Sequence, residues 1–88
     1  MNPDTFEDEI FKELLKNRIP VYEGGFAGEV YIRKNYKEIY FNVYKNTVRV
    51  VERSITGWDK EKEIARFVNP SAERVVRFVV EWLEGEPT

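Results

Sequence analysis

The pattern of apolar and polar positions begins with a helical period. Over residues 3–18, apolar residues recur at spacings of three and four with charged residues between them: Phe6, Ile10, Phe11, Leu14 and Leu15. This period places the apolar side chains on one side of a helix. Pro20 prevents helical continuation, so the sequence predicts an N-terminal amphipathic helix and then a short extended segment at 21–23.

From residue 29 the apolar spacing changes to two, and two turn signals divide residues 29–53 into three strands of a meander. If Asn35-Tyr36 and Lys45-Asn46 are two-residue turns, the strand pairing is defined. The predicted pairs are Arg33–Glu38, Ile32–Ile39, Tyr31–Tyr40, Val30–Phe41, Val43–Val48, Phe41–Val50, Asn42–Arg49 and Tyr40–Val51. Both hairpins then place the same apolar residues on an inner face: Val30, Ile32, Ile39, Phe41, Val43, Val48 and Val50. A slip of one residue would expose this set, so the register is strongly constrained.

The remaining sequence predicts two further helices. Residues 59–68 carry apolar residues on one side of a short helix, and Asn69-Pro70 supplies an N-cap and a first helical residue for a second helix that stops at Gly85. We therefore expect one α+β domain. It contains an N-terminal helix, an antiparallel three- to four-stranded meander sheet and two C-terminal helices packed on the sheet.

The last helix carries a wide apolar arc. One stripe consists of Ala72, Val75, Val76, Val79 and Leu83, and further apolar residues extend beyond it. Two interpretations are open: a helix that crosses a small sheet buries a wide face, or Phe78 and Trp82 contact a second copy or another protein. We favour packing within the chain.

The composition excludes most common catalytic chemistry. The 88 residues contain no cysteine and no histidine. This removes disulfides, thiolate and histidine catalysis and most transition-metal sites. The glycine-rich segment 24–28 is followed by a strand, whereas a phosphate-binding loop precedes a helix. We predict no catalytic residue, no metal ligand and no cofactor.

Composition also bears on location. No apolar run reaches the length of a membrane span, and the acidic N-terminus is unlike a signal peptide. We expect a cytoplasmic protein that does not bind membranes. Glutamine is absent while Glu, Lys and Arg are abundant, a bias that is typical of proteins from hot environments.

The outer face of the meander is the candidate binding surface. Residues 29–53 hold six basic and three acidic residues, a net charge of +3, whereas the whole chain carries −2. Tyrosine and arginine on one sheet face are residue types that stack bases and neutralise phosphates. The candidate residues are Tyr31, Arg33, Tyr40, Tyr44, Arg49 and Arg53.

Three interpretations of this face remain open. The residues form ordinary cross-strand pairs on a solvated or helix-covered face, or they bind a protein partner or a second copy of the chain, or they bind nucleic acid. We predict a non-catalytic binding or interaction domain. Nucleic-acid binding through the outer face is the alternative.

Overall fold

The structure, a computed structural model, describes residues 3–23, 30–55 and 61–85. The helices and strands are α1 Pro3–Lys16, β1 Tyr22–Glu23, β2 Val30–Lys34, β3 Lys37–Tyr44, β4 Thr47–Ser54, β5 Lys62–Val68 and α2 Ala72–Glu84. The strands form one antiparallel sheet in the order β1-β2-β3-β4-β5, so each strand pairs with its neighbours along the chain. The glycine-rich segment 24–28 and the first residues of the predicted meander and of the predicted 59–68 helix lie outside the described residues.

The predicted register of the meander is confirmed. Seven of the eight predicted pairs occur, and the pairing of β2 with β3 ends at Tyr31–Tyr40, one pair short of the eighth. Asn35 and Lys45 begin the two turns with φ angles of 56° and 54°. Positive φ at this position is typical of the tight turns that match the twist of a hairpin.

The inner face of the sheet forms the core together with both helices. The buried cluster joins α1, the sheet and α2, and it consists of Phe6, Ile10, Leu14, Ile19, Ile32, Ile39, Val48, Val50, Val75, Val76 and Val79. Phe41 and Val43 pack against it as predicted. Burial of each such side chain contributes roughly 1.5–3 kcal/mol. Because both helices lie on this face, the outer face is not covered by a helix in the described part of the chain.

The prediction of two C-terminal helices is wrong for the first of them, residues 59–68. Residues 62–68 form β5, which pairs with β4 and extends the sheet to five strands. The register shifts between Val50 and Val51, which pair with Ala65 and Glu63 and leave Ile64 as an extra residue. Such a bulge interrupts the alternation of a strand. It therefore produced an apolar spacing that resembles a helical period.

The second C-terminal helix begins two residues later than predicted. Asn69 has a φ of 49° and donates its N–H to the Asn46 carbonyl at 2.6 Å, so it closes the end of β5. Ser71 is the N-cap, and its Oγ accepts the Arg74 N–H at 3.1 Å. Gly85 ends the helix, as predicted.

The wide apolar arc of α2 has contacts within the chain. Phe78 meets Phe67 of β5 edge to face, with ring centroids 5.8 Å apart. The Trp82 indole N–H donates to Glu52 Oε2 at 2.9 Å, and Glu52 is a buried carboxylate of β4. Lys34 donates to backbone carbonyls of Trp82 and Gly85, where the C-terminus of a helix favours a positive charge. These contacts fasten α2 across the inner face.

Candidate functional site

The outer face divides into two regions that differ in their contacts. We call the first the closed network: Tyr31, Arg33, Glu38, Tyr40, Arg53 and Glu61. We call the second the open corner: Asn42, Tyr44, Thr47, Arg49, Glu63, Arg66 and Val68. The sequence-predicted residues Tyr31, Arg33, Tyr40 and Arg53 lie together in the closed network, and Tyr44 and Arg49 lie in the open corner.

Arg53 is the centre of the closed network. Its Nε donates to Glu38 Oε1 at 2.6 Å, and its Cζ lies 4.8 Å from the ring centroid of Tyr31 and 5.4 Å from that of Tyr40. The two tyrosine rings meet edge to face at 6.0 Å. The guanidinium thus combines a charge-assisted hydrogen bond with two cation–π contacts. Only 17% of the Arg53 side chain is exposed.

Glu38 and Glu61 are the acceptors of the closed network. The Glu38 side chain is 7% exposed and accepts from both Arg53 and Arg33, the latter at 3.1 Å. Glu61 accepts the Tyr40 hydroxyl at 2.9 Å and lies 3.4 Å from Arg53 Nη1. The polar groups of this region therefore satisfy one another.

The electrostatics keep Arg53 ionised. Burial alone would lower the pKa of Arg53, but hydrogen bonds to Glu38 and Tyr31, together with the negative charge of Glu38, outweigh burial and raise that pKa above its ordinary value. The Tyr31 residue itself is only 8% exposed. A partner that stacked on this ring would first have to open the network.

Six of the seven residues of the open corner form two cross-strand rows on β3, β4 and β5. One row is Tyr44–Thr47–Val68, and the next is Asn42–Arg49–Arg66. Tyr44 is 67% exposed and Val68 is 62% exposed. The two side chains flank Thr47 at the ends of their row, so both expose apolar surface at the same end of the sheet.

Arg49 and Arg66 share a single carboxylate. Arg49 Nε donates to Glu63 Oε1 at 2.5 Å, and Arg66 Nη2 donates to the same oxygen at 2.9 Å. Hydrogen bonds from Arg66 and then Arg49 lower the pKa of Glu63, so it is ionised at neutral pH. The Nη atoms of Arg49 make no hydrogen bond with any other described residue.

Sequence reasoning missed four residues of these two regions: Glu61, Glu63, Arg66 and Val68. They were placed on a helix, where they would have had no fixed relation to the arginines of the sheet. The available signal was charge complementarity. Glu61 and Glu63 stand two residues apart, as alternate strand residues do, and the outer face of the neighbouring strand carries Arg49 and Arg53.

Within residues 3–23, 30–55 and 61–85, no cluster of three or more acidic side chains is arranged to hold a metal ion. No helix among the same residues is long and apolar enough to cross a membrane. Comparison of the chain with protein-family models, with curated proteins and with solved structures gives no match. The function therefore has to be argued from the geometry.

Proposed function

We propose that the protein is a small, non-catalytic interaction domain that binds another protein through the open corner of its sheet. The exposure of Tyr44 and Val68 carries this proposal. Tyrosine and arginine are enriched in the parts of interfaces that contribute most to affinity, and the corner presents both beside an aliphatic side chain. We expect such a domain to work in the cytoplasm, in keeping with the absence of cysteine.

The closed network supports the choice of the corner. Its tyrosines and arginines have partners within the chain, so binding there would exchange existing contacts for new ones. At the corner, by contrast, a partner would cover apolar surface that is in contact with water. Burial of apolar surface is the main source of affinity in protein association.

Capture from an extract of the source organism tests the proposal. The immobilised chain is compared with the double variant Tyr44→Ser/Val68→Ser and with the control Leu15→Ser, which changes an exposed leucine of α1. We expect the same proteins to bind the wild type and the control and to be lost with the double variant. If the double variant keeps them, the corner is not the interaction surface.

Nucleic-acid binding is the second candidate, because Arg49 and Arg66 are directly opposite one another and lie on the same sheet face as the exposed Tyr44. Single-stranded oligonucleotides should then quench tyrosine fluorescence at low salt, with an affinity that falls steeply as salt is added. Absence of quenching at low salt removes this candidate.

A second copy of the chain remains the other candidate partner. Phe78 and Trp82 would form its contact, although both already have contacts within the chain. Light scattering at high protein concentration tests this version. A monomeric mass contradicts it.

A further inference from the structure

We infer that the open corner takes an extended acidic segment of a partner protein, in which a carboxylate side chain and an apolar side chain stand two residues apart. This inference rests on the proposed function and names the chemistry of its partner. It follows from the cationic row (Asn42–Arg49–Arg66), the apolar row (Tyr44–Thr47–Val68) and the distance between them.

The cationic row has guanidinium N–H groups that are not used in hydrogen bonds to described residues. Arg49 and Arg66 are direct partners across β4 and β5, and like charges in this position repel each other. Glu63 supplies one negative charge for these two positive charges, so the row keeps a net charge of +1. The side chains of Arg49 and Arg66 are 42% and 58% exposed. A guanidinium with unused Nη donors matches the two oxygens of a carboxylate.

The apolar row lies beside the cationic row at a defined distance. Thr47 and Arg49 are two residues apart on β4 and project from the same face, which separates the two rows by about 6.6 Å. An extended peptide repeats its own side chains on one face with the same spacing. A carboxylate on the arginines therefore brings the apolar side chain two residues away over Thr47, between Tyr44 and Val68.

The charges at the rim of the corner agree with an acidic segment. Lys45 Nζ lies 5.5 Å from the centroid of the Tyr44 ring, and Asn42 is an exposed residue next to Arg49. With Lys45 included, three cationic side chains face the single carboxylate of Glu63 at the corner. Electrostatic complementarity of this kind favours an anionic partner and opposes a basic one.

The neighbouring closed network opposes a long nucleic-acid strand. Successive bases need successive exposed rings. The next tyrosines on this face are Tyr31, which is buried, and Tyr40, whose hydroxyl is held by Glu61. A strand that continued past the corner would also meet the carboxylates Glu61 and Glu63. A short peptide segment ends before Glu61 and meets only Glu63, whose charge is already paired with Arg49 and Arg66.

The test uses synthetic peptides and amide chemical shifts of the full chain. The first peptide is a capped hexamer with a glutamate and a leucine separated by one serine. The second replaces the glutamate with glutamine, and the third places glutamate and leucine side by side. We expect the first peptide to shift the amides of Tyr44, Arg49, Arg66 and Val68. The other two should bind about tenfold more weakly, because each can contact only one of the two rows at a time.

Two variants locate the binding site. Arg66→Gln should weaken binding of the first peptide about tenfold. Arg77→Gln, which removes an exposed charge from α2, should leave it unchanged. Urea unfolding of both variants shows whether each remains folded.

Three results would overturn the inference. Equal binding of the glutamine peptide at the corner contradicts the acidic class but leaves an interaction surface, so the proposed function would survive. If no peptide shifts the amides of the corner at millimolar concentration, the corner does not bind an extended peptide segment. Tighter binding of a single-stranded oligonucleotide at the same amides replaces the peptide with nucleic acid.

Discussion

The closed network and the open corner are built from the same residue types on the same sheet face, yet their side chains have different partners. In the closed network, Glu38 is buried between Arg33 and Arg53, and two tyrosine rings contact Arg53. In the open corner, a partly exposed Glu63 bridges two exposed arginines. Tyrosines and arginines on a sheet face therefore do not by themselves define a binding surface. The closed network pairs two arginines with two carboxylates, whereas the open corner pairs two arginines with one, so the corner keeps a net positive charge.

The largest expected effect is in the closed network. Glu38→Gln removes the charge that Arg53 faces in a mostly buried position, and we expect a loss of about 3 kcal/mol in the free energy of unfolding. Urea unfolding monitored by circular dichroism measures it. Glu63→Gln at the open corner is the matched control, and its effect should be much smaller because both of its arginines stay solvated. Equal losses would contradict the distinction between the two regions.

The tyrosine hydroxyls provide a second comparison. Tyr40→Phe removes the hydrogen bond to Glu61, and we expect a loss of about 1 kcal/mol in the free energy of unfolding. Tyr44→Phe should leave stability unchanged, since no described residue accepts from or donates to the Tyr44 hydroxyl. The same unfolding measurement checks both. A larger loss for Tyr44→Phe would place the more important hydroxyl at the corner.

A third change gives the open corner the charge balance of the closed network. Asn42→Glu places a second carboxylate opposite Arg49, which should stabilise the fold by about 0.5 kcal/mol as an opposite-charge cross-strand pair. The same change should weaken binding of the acidic peptide about tenfold, because the added carboxylate competes for the guanidinium donors. Asn42→Gln is the control and should alter neither quantity. Peptide binding that persists in Asn42→Glu would show that the arginines do not receive the carboxylate.

The smallest expected effect concerns pH. The pKa of Glu63 is lowered in the folded chain, so its stabilising contribution is present above the ordinary glutamate pKa and is lost as the pH falls through the folded value. The stability difference between the wild type and Glu63→Gln should therefore be largest near neutral pH and should vanish in acid. Unfolding measured across this range checks the sign. A difference that grows toward acid would contradict the assigned hydrogen bonds.

The sequence was informative where pairing is local. The turns at Asn35 and Lys45 and the alternating apolar residues were sufficient to predict the β2–β3 and β3–β4 registers and the inner face. The same reasoning failed at β5. The extra residue Ile64 in the bulge interrupts the alternation of apolar residues, so the spacing of this strand resembled that of a helix. Local sequence signals cannot distinguish these periods in a short segment.

That single error also hid the nature of the outer face. Because β5 was not predicted, the carboxylates that neutralise the arginines had no defined position, and all six candidate residues were assigned to one outer face without distinction. The structure places Tyr31 and Arg53 in a satisfied network and leaves Tyr44 and Arg49 beside the unpredicted Arg66 and Val68. The six predicted residues thus lie on one face of the sheet, but the two halves of that face differ in their contacts.

The central claim is that the open corner, and not the closed network, receives a partner. Titration of the acidic peptide against Arg66→Gln and Arg33→Gln tests it most directly, since each variant removes one exposed guanidinium from one of the two regions. The account predicts that Arg66→Gln weakens binding about tenfold while Arg33→Gln leaves the affinity unchanged. A loss of affinity in Arg33→Gln that equals or exceeds the loss in Arg66→Gln would contradict it.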